Sequence, residues 1–244
     1  MVTRMIKPNG VLTVVATPFK GGRFDEESLL LHVESLVKAG IDGFFLLGTV
    51  GQGILLSLEE RRAVLEAVRE SGAGKTSIVH VASTEWDLVR ETVALAERSD
   101  GSGIASIPPI YYKPDFETLK RYYLKLGSLT ELPIYIYNIP SNTGFDVTPQ
   151  LVSQLISEGV RVDGVKDTSD DLTHIPDLAK LGITVVNGPD RLIVPSFLSG
   201  ASACVSGISN AIPEVVVGAY RKLVGGDIAG AMQIQAKIDA LVSL

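Results

Sequence analysis

The chain has 244 residues, a net charge of −6 and a sequence pI near 5.1. That acidic balance argues against a nucleic-acid or acidic-membrane surface, and leaves small anions to a site built locally for them. One cysteine, Cys204, excludes an internal disulfide and fits a reducing cytoplasm. Met1–Asn9 has a little basic charge but no signal-peptide core, and no apolar run is long enough to span a bilayer. His32, His80 and His174 are scattered, with no His-x-x-x-His or Cys-x-x-Cys spacing, so no metal and no cofactor are expected.

The elements follow in order. Val11–Thr17 is an apolar, β-branched strand stopped by Pro18. Asp25 caps a helix to about Ala39, with Leu29, Leu30, Val33, Leu36 and Val37 at helical spacing, and Gly40 ends it. Gly43–Leu47 is apolar on both faces, as a parallel strand covered on both sides should be. After the loop Gly48–Gly53, Ser57-Leu-Glu-Glu60 is a capping box for a helix to about Glu70. Ser77–Ala82 (strand), Trp86–Arg98 (helix) and Gly103–Ile107 (strand) follow, and then the exit loop Pro108–Pro114. Asp115 caps a helix to about Leu126, and Ile134–Tyr137 is a strand with the loop Asn138–Phe145. Thr148-Pro149 pairs an N-cap with proline at the first helical position and opens a helix to about Ser157. Asp163–Lys166 is a strand, and a helix runs from about Asp171 to Lys180. Ile183–Asn187 is the seventh strand, with a short helix after Asp190. Ser202–Ser206 is the eighth, followed by the helix Pro213–Val224 and by a further helix from Asp227.

Strict strand–helix alternation means a parallel sheet. Eight units in this length make an α/β protein with a closed (β/α)8 TIM barrel, residues 1–224 as one catalytic domain, and the start of a C-terminal helical extension in 225–244. A doubly wound open sheet would want a Gly-x-Gly-x-x-Gly in its first turn, which Phe19-Lys-Gly-Gly22 does not supply.

A barrel builds its catalytic face from the C-terminal strand ends. The locally odd residues fall there: Lys166 ends the sixth strand, Tyr137 the fifth, and Thr49 with a glycine-rich loop follows the second. Alternation puts Val162, Gly164 and Lys166 on one face. A lysine facing inward is costly to bury charged; it reaches water or its pKa falls and it becomes a nucleophile. The chemistry suggested is a Schiff base, in which the amine attacks a keto carbon, water leaves, and the iminium acts as an electron sink. Poising a lysine near neutrality takes about 4–5 kcal/mol of differential stabilisation. Tyr137 suits a proton shuttle if its phenol sits in a hydrogen-bonded chain; otherwise it is an amphipathic wall residue. The three-glycine loop suits a carboxylate or phosphate, or is simply a tight turn. His80 reads as a packed, hydrogen-bonded histidine and Cys204 as a small core residue.

These segments together resemble the dihydrodipicolinate synthase and N-acetylneuraminate lyase family of pyruvate-dependent class I aldolases, which includes 2-keto-3-deoxygluconate aldolases. The motifs are Gly48-Thr49-x-Gly51, Pro109-x-Tyr111, Tyr137-Asn-x-Pro-x-x-Thr-Gly144 and Gly164-Val-Lys166. The resemblance implies that Lys166 forms the Schiff base with pyruvate and that Tyr137 relays protons. It implies that Thr49 links Tyr137 to a second tyrosine, Tyr111, lent by a neighbouring subunit of a homo-oligomer, a dimer or tetramer. The backbone at Thr49–Val50 would hold the pyruvate carboxylate, and Gly188 and Val205 would line the pocket. Val50 replaces the family's usual second hydroxyl residue. Asn142 stands where dihydrodipicolinate synthases place an arginine for the aldehyde's carboxylate, and an amide does not replace a bidentate guanidinium. The family usually continues with further C-terminal helices beyond the point where this sequence stops.

Gly-Val-Lys-Asp-Thr168 is more similar to the sugar-acid aldolases, with Thr168, Asp190 and Asn142 as readers of hydroxyls or as caps and surface groups. The expected function is a cytoplasmic lyase joining or separating pyruvate and an aldehyde, first a 2-keto-3-deoxy sugar acid. Dihydrodipicolinate synthase is the alternative within the class. A non-catalytic pyruvate-binding homologue, and a phosphate-binding barrel isomerase using Ser206-Gly-Ile-Ser209, are the alternatives outside it.

Overall fold

The structure, a computed structural model, describes residues 7–71 and 74–243. Eight parallel strands close into a barrel: β1 (Gly10–Val14), β2 (Gly43–Leu46), β3 (Thr76–His80), β4 (Gly103–Ser106), β5 (Ile134–Asn138), β6 (Gly164–Asp167), β7 (Thr184–Asn187) and β8 (Ala203–Ser206). Closure is made by β1, which pairs with β2 through Leu12 and Gly43 and with β8 through Gly10 and Ala203. The helices are α1 (Glu26–Ala39), α2 (Leu58–Ser71), α3 (Trp86–Arg98), α4 (Phe116–Gly127), α5 (Pro149–Ser157), α6 (His174–Ala179), α7 (Ile193–Leu198), α8 (Pro213–Val224) and α9 (Ile228–Val242).

Local signals set these boundaries. The Asp25 side chain accepts from the Ser28 N–H, and Gly40, at φ 91°, turns α1 off by returning its N–H to Leu36 and Val37. The capping box is reciprocal: the Ser57 N–H donates to Glu60 Oε2 at 2.8 Å, and the Glu60 N–H donates to Ser57 Oγ at 3.2 Å.

The core has two parts. Helix-facing side chains such as Val11, Phe44, Ile104 and Val165 pack against the helices. Strand residues of the other parity, including Leu12, Phe45, Ile78, Tyr135, Tyr137 and Val186, fill the barrel. Fully burying one such side chain contributes about 1.5–3 kcal/mol. Tyr135 closes the floor, because Gly103 and Gly164 leave room for its ring; a Cβ on Gly164 would lie 2.6 Å from it. Tyr137 and Lys166 stand one layer above.

Four expectations are corrected. Val162 does not share the Lys166 face: β6 begins at Gly164, and Val162 packs with the helix-facing core. The first strand ends at Val14 and the turn after it opens into a hairpin, Phe19–Lys20 paired with Arg23–Phe24, whose two-residue strands are too short to show a period. Helix α6 starts at His174, not Asp171, because Asp171 spends its carboxylate on the Thr173 N–H and hydroxyl. The loop after β5 holds one helical turn, Pro140–Thr143. The C-terminal helix α9 also does more than extend the chain. Buried Gln235 accepts from the Val194 N–H at 2.9 Å and donates to the Asp190 carbonyl at 3.0 Å, tying α9 to the segment after β7. Among the described residues no helix is long and apolar enough to cross a membrane.

Replacing Gly164 with alanine forces the floor open. Gly164→Ala should destabilise the barrel by about 2–3 kcal/mol, read as a lower Tm in thermal unfolding.

Candidate active site

Adjacent strands bring the two central side chains together. Tyr137 of β5 and Lys166 of β6 are register partners, so on alternation both face inward from neighbouring strands. Lys166 is 4% exposed and its Nζ lies 3.5 Å from the centre of the Tyr137 ring and 5.0 Å from that of Phe45. The Nζ donates to Thr168 Oγ1 at 3.1 Å. Burial draws the Lys166 pKa below its ordinary value; negative charge on Tyr137, Asp167 and Asp190 opposes the fall without cancelling it.

The phenol is balanced in the other sense. Burial alone would raise the Tyr137 pKa, but the Lys166 charge and the hydroxyls of Thr49 and Thr168 bring it below the ordinary tyrosine value. Tyr137 OH and Thr49 Oγ1 are 3.2 Å apart. An amine that sheds its proton more easily thus lies over the ring face of a phenol that does the same, and neighbouring groups shifted in this way suit proton exchange.

The loop after β2 presents Thr49. Leu47 is left-handed at φ 57°, and Gly53 packs so close to the Leu47 backbone that a Cβ there has no room. The Gly53 N–H closes the loop on the Gly48 carbonyl at 3.1 Å. Among the described residues the N–H groups of Thr49 and Val50 have no acceptor in the chain, which leaves them free for an anion.

The remaining expected residues divide. Thr168 sits at the amine, and Gly188 leaves the space that Thr168 occupies, since a Cβ there would collide with its hydroxyl. Val205 is buried in the barrel interior and Val50 is exposed at the rim. Asn142 joins Gly48, Thr49, His80, Ile107 and Ile139 around a cavity of about 300 Å³. Asp190 holds the structure together: Ser206 Oγ donates to it at 2.6 Å, and the Gly207 and Ile208 N–H groups donate at 3.2 and 3.0 Å. Burial raises its pKa, and those hydrogen bonds pull the other way. Tyr111 is 89% exposed with φ 79°, stacked edge-on against Tyr112, and meets neither Tyr137 nor Thr49 within the chain. Among the described residues no group of three His, Cys, Asp or Glu could hold a metal ion.

Sequence reasoning passed over Asp167. It is 3% exposed and collects Asn138 Nδ2 at 2.9 Å, the Ser169 N–H and hydroxyl at 3.1 Å each, and His174 Nδ1 at 3.1 Å. Those bonds pin the loop that carries Thr168; the signal was Asp-Thr-Ser itself, a side chain turning back on its own backbone. His80 is only half satisfied. Its Nδ1 is 3.0 Å from the Leu47 carbonyl, while Nε2 is buried without a partner among the described residues.

A closed parallel barrel with a lysine–tyrosine pair in its mouth defines a class, and the comparisons with known proteins narrow it. Residues 7–244 match the dihydrodipicolinate synthetase family, and the chain belongs to it. Members of that family are pyruvate-dependent lyases, aldolases and synthases, and this chain is an enzyme of that kind. The chain is 32% identical to a 2-dehydro-3-deoxy-D-gluconate/2-dehydro-3-deoxy-phosphogluconate aldolase of Thermoproteus tenax, over 95% of this chain and 75% of the relative. It is 30% identical to a 4-hydroxy-tetrahydrodipicolinate synthase of Methanococcus aeolicus, over 94% and 80%. A prophage protein of the same family from E. coli K12, solved in complex with pyruvate, superposes with a TM-score of 0.88 at 28% identity, covering 94% of this chain and 80% of that one.

Burial lowers the His80 pKa from its ordinary 6.5 to about 4. The unfolded chain therefore binds the extra proton first, so stability falls as pH drops from 6.5 toward 4. His80 should contribute about 3 kcal/mol to that fall. In His80→Gln, which does not titrate, denaturant unfolding should show a correspondingly shallower loss of stability across the same pH range.

Proposed function

We propose that this enzyme is a class I aldolase that binds pyruvate as a Schiff base on Lys166 and makes or breaks a carbon–carbon bond to a hydroxylated aldehyde. The preferred substrate is a 2-keto-3-deoxy sugar acid. The observation that carries the reading is the buried amine against the Tyr137 ring, with the Tyr137 hydroxyl at Thr49 and a cavity beside it.

The neutral Lys166 amine adds to C2 of pyruvate, and loss of water leaves a protonated imine. One methyl proton is then removed, and the electron pair of that C–H bond moves into the imine to give an enamine. The enamine carbon attacks the aldehyde carbonyl; the new C–C bond forms as the carbonyl oxygen takes a proton. Hydrolysis returns the 2-keto acid and free Lys166. Cleavage is the reverse. Tyr137 carries protons between the nitrogen, the departing water and the aldehyde oxygen, with Thr49 keeping its hydroxyl in line. The free N–H groups of Thr49 and Val50 suit the pyruvate carboxylate.

The choice of aldehyde follows from charge. Among the described residues no lysine or arginine lines the cavity beside Thr49, and Asn142 stands on its wall. A neutral wall favours hydroxyl groups over a carboxylate, which supports the sugar acid over aspartate semialdehyde. Both activities occur among the relatives. Exposed Tyr111 fits a tyrosine lent across the interface of a homo-oligomer, and a single, buried cysteine, Cys204, fits a reducing cytoplasm.

Borohydride reduction with pyruvate, followed by peptide mass mapping, should place the adduct on the Lys166 peptide. Lys166→Ala should abolish both adduct and turnover, and Tyr137→Phe should lower kcat by about 10²–10⁴-fold. Turnover with pyruvate and glyceraldehyde should exceed turnover with pyruvate and aspartate semialdehyde. An adduct elsewhere, or activity retained in Lys166→Ala, would end the reading.

A further inference from the structure

We propose that His80 is a specificity-determining residue whose Nε2 accepts a hydrogen bond from a hydroxyl group of the aldehyde partner. This rests on the aldolase reading above and names what selects the aldehyde.

His80 is the last residue of β3 and packs inside the barrel. Its ring meets Tyr137 edge-on, with centroids 5.6 Å apart at 85°, and stacks 6.3 Å from Phe45. It is 5% exposed and forms part of the cavity wall with Thr49 and Asn142. It thus touches the proposed proton relay on one side and the space for the aldehyde on the other.

Its protonation is fixed by geometry. The Leu47 carbonyl, 3.0 Å from Nδ1, can only accept, so Nδ1 carries the hydrogen. Leu47 is held left-handed at φ 57°, which sets the aim of that carbonyl. Nε2 is left as a bare lone pair. Among the described residues nothing donates to it, and it is closed off from water. Burial keeps the ring neutral at working pH, so Nε2 does not become a donor.

A buried acceptor without a partner is the costly half of a hydrogen bond. Its complement is a donor without charge. A hydroxyl supplies one; a methyl group leaves the lone pair unpaired, and a carboxylate oxygen sets two lone pairs against each other. Because Nε2 is sealed in the free protein, contact requires the wall to give as the aldehyde enters, so recognition coincides with filling the cavity. A site built around such an atom discriminates more sharply than an apolar one, since the wrong ligand leaves the acceptor unpaired.

The test compares condensation of pyruvate with glyceraldehyde and with propanal, which lacks the hydroxyls. Wild-type protein, which needs no variant, should favour glyceraldehyde in kcat/KM. In His80→Phe, which keeps the ring and removes the acceptor, the glyceraldehyde-to-propanal ratio should fall about tenfold, mostly through KM for glyceraldehyde. His80→Gln, whose side-chain oxygen reaches the place of Nε2, should recover most of the ratio. Equal losses on both aldehydes in His80→Phe, an unchanged ratio, or no rescue by His80→Gln would overturn the proposal. Borohydride trapping of pyruvate in the wild-type protein separates the two readings. No adduct on Lys166 defeats the aldolase reading. An adduct without preference for glyceraldehyde defeats only the role of His80.

Discussion

The site depends on keeping a lysine amine out of water at the open end of a barrel. Ordinarily such a group stays charged and reaches for solvent. Here the register of β5 and β6 sets Lys166 beside Tyr137, and the aromatic ring covers the amine at 3.5 Å. Desolvation works against the ammonium, while the ring face and the nearby acidic groups favour it. The balance leaves a proton that is easier to lose, in contact with a phenol whose own proton is also easier to lose.

The rest of the architecture serves that contact. Glycines at 103 and 164 admit the Tyr135 ring as a floor, which sets the height of the layer above. The left-handed Leu47 and the close-packed Gly53 fold the loop that brings Thr49 to the Tyr137 hydroxyl. Asp167 gathers Asn138, Ser169 and His174 behind the strand and so steadies Thr168 at the amine. Asp190 ties the segment after β7 to the backbone after β8, and Gln235 of α9 holds that segment from outside. The mouth is therefore braced from below, from behind and by the last helix.

Much of this was legible in the residues. Apolar runs of strand length between capped amphipathic helices gave the alternation, and the alternation gave the barrel. Lys166, Tyr137 and Thr49 were legible because polar groups at apolar strand ends must have a destination. Other features lacked a local signal. The hairpin at Phe19–Phe24 has strands of only two residues, so no periodicity marks it. The inward set of β6 starts at Gly164 because pairing, not apolar character, begins the strand there, and Val162, ahead of that pairing, turns to the helices against the simple alternation. Asp190 is legible as a reader of hydroxyls or as a cap; the backbone groups it accepts from lie about one element further along the chain, beyond the reach of local reasoning. His80 read correctly as a packed residue; that one of its nitrogens is stranded depends on where Leu47 points, which is a tertiary fact.

The central claim concerns one nitrogen, and it can be titrated directly. In protein labelled with ¹³C at the lysine ε-carbon, NMR should show one resonance, lost in Lys166→Ala, with a midpoint below the ordinary lysine value of 10.5. That midpoint should fall further in Tyr137→Phe, because the phenolate no longer favours the ammonium. A Lys166 midpoint at or above 10.5, unmoved by Tyr137→Phe, would contradict the account.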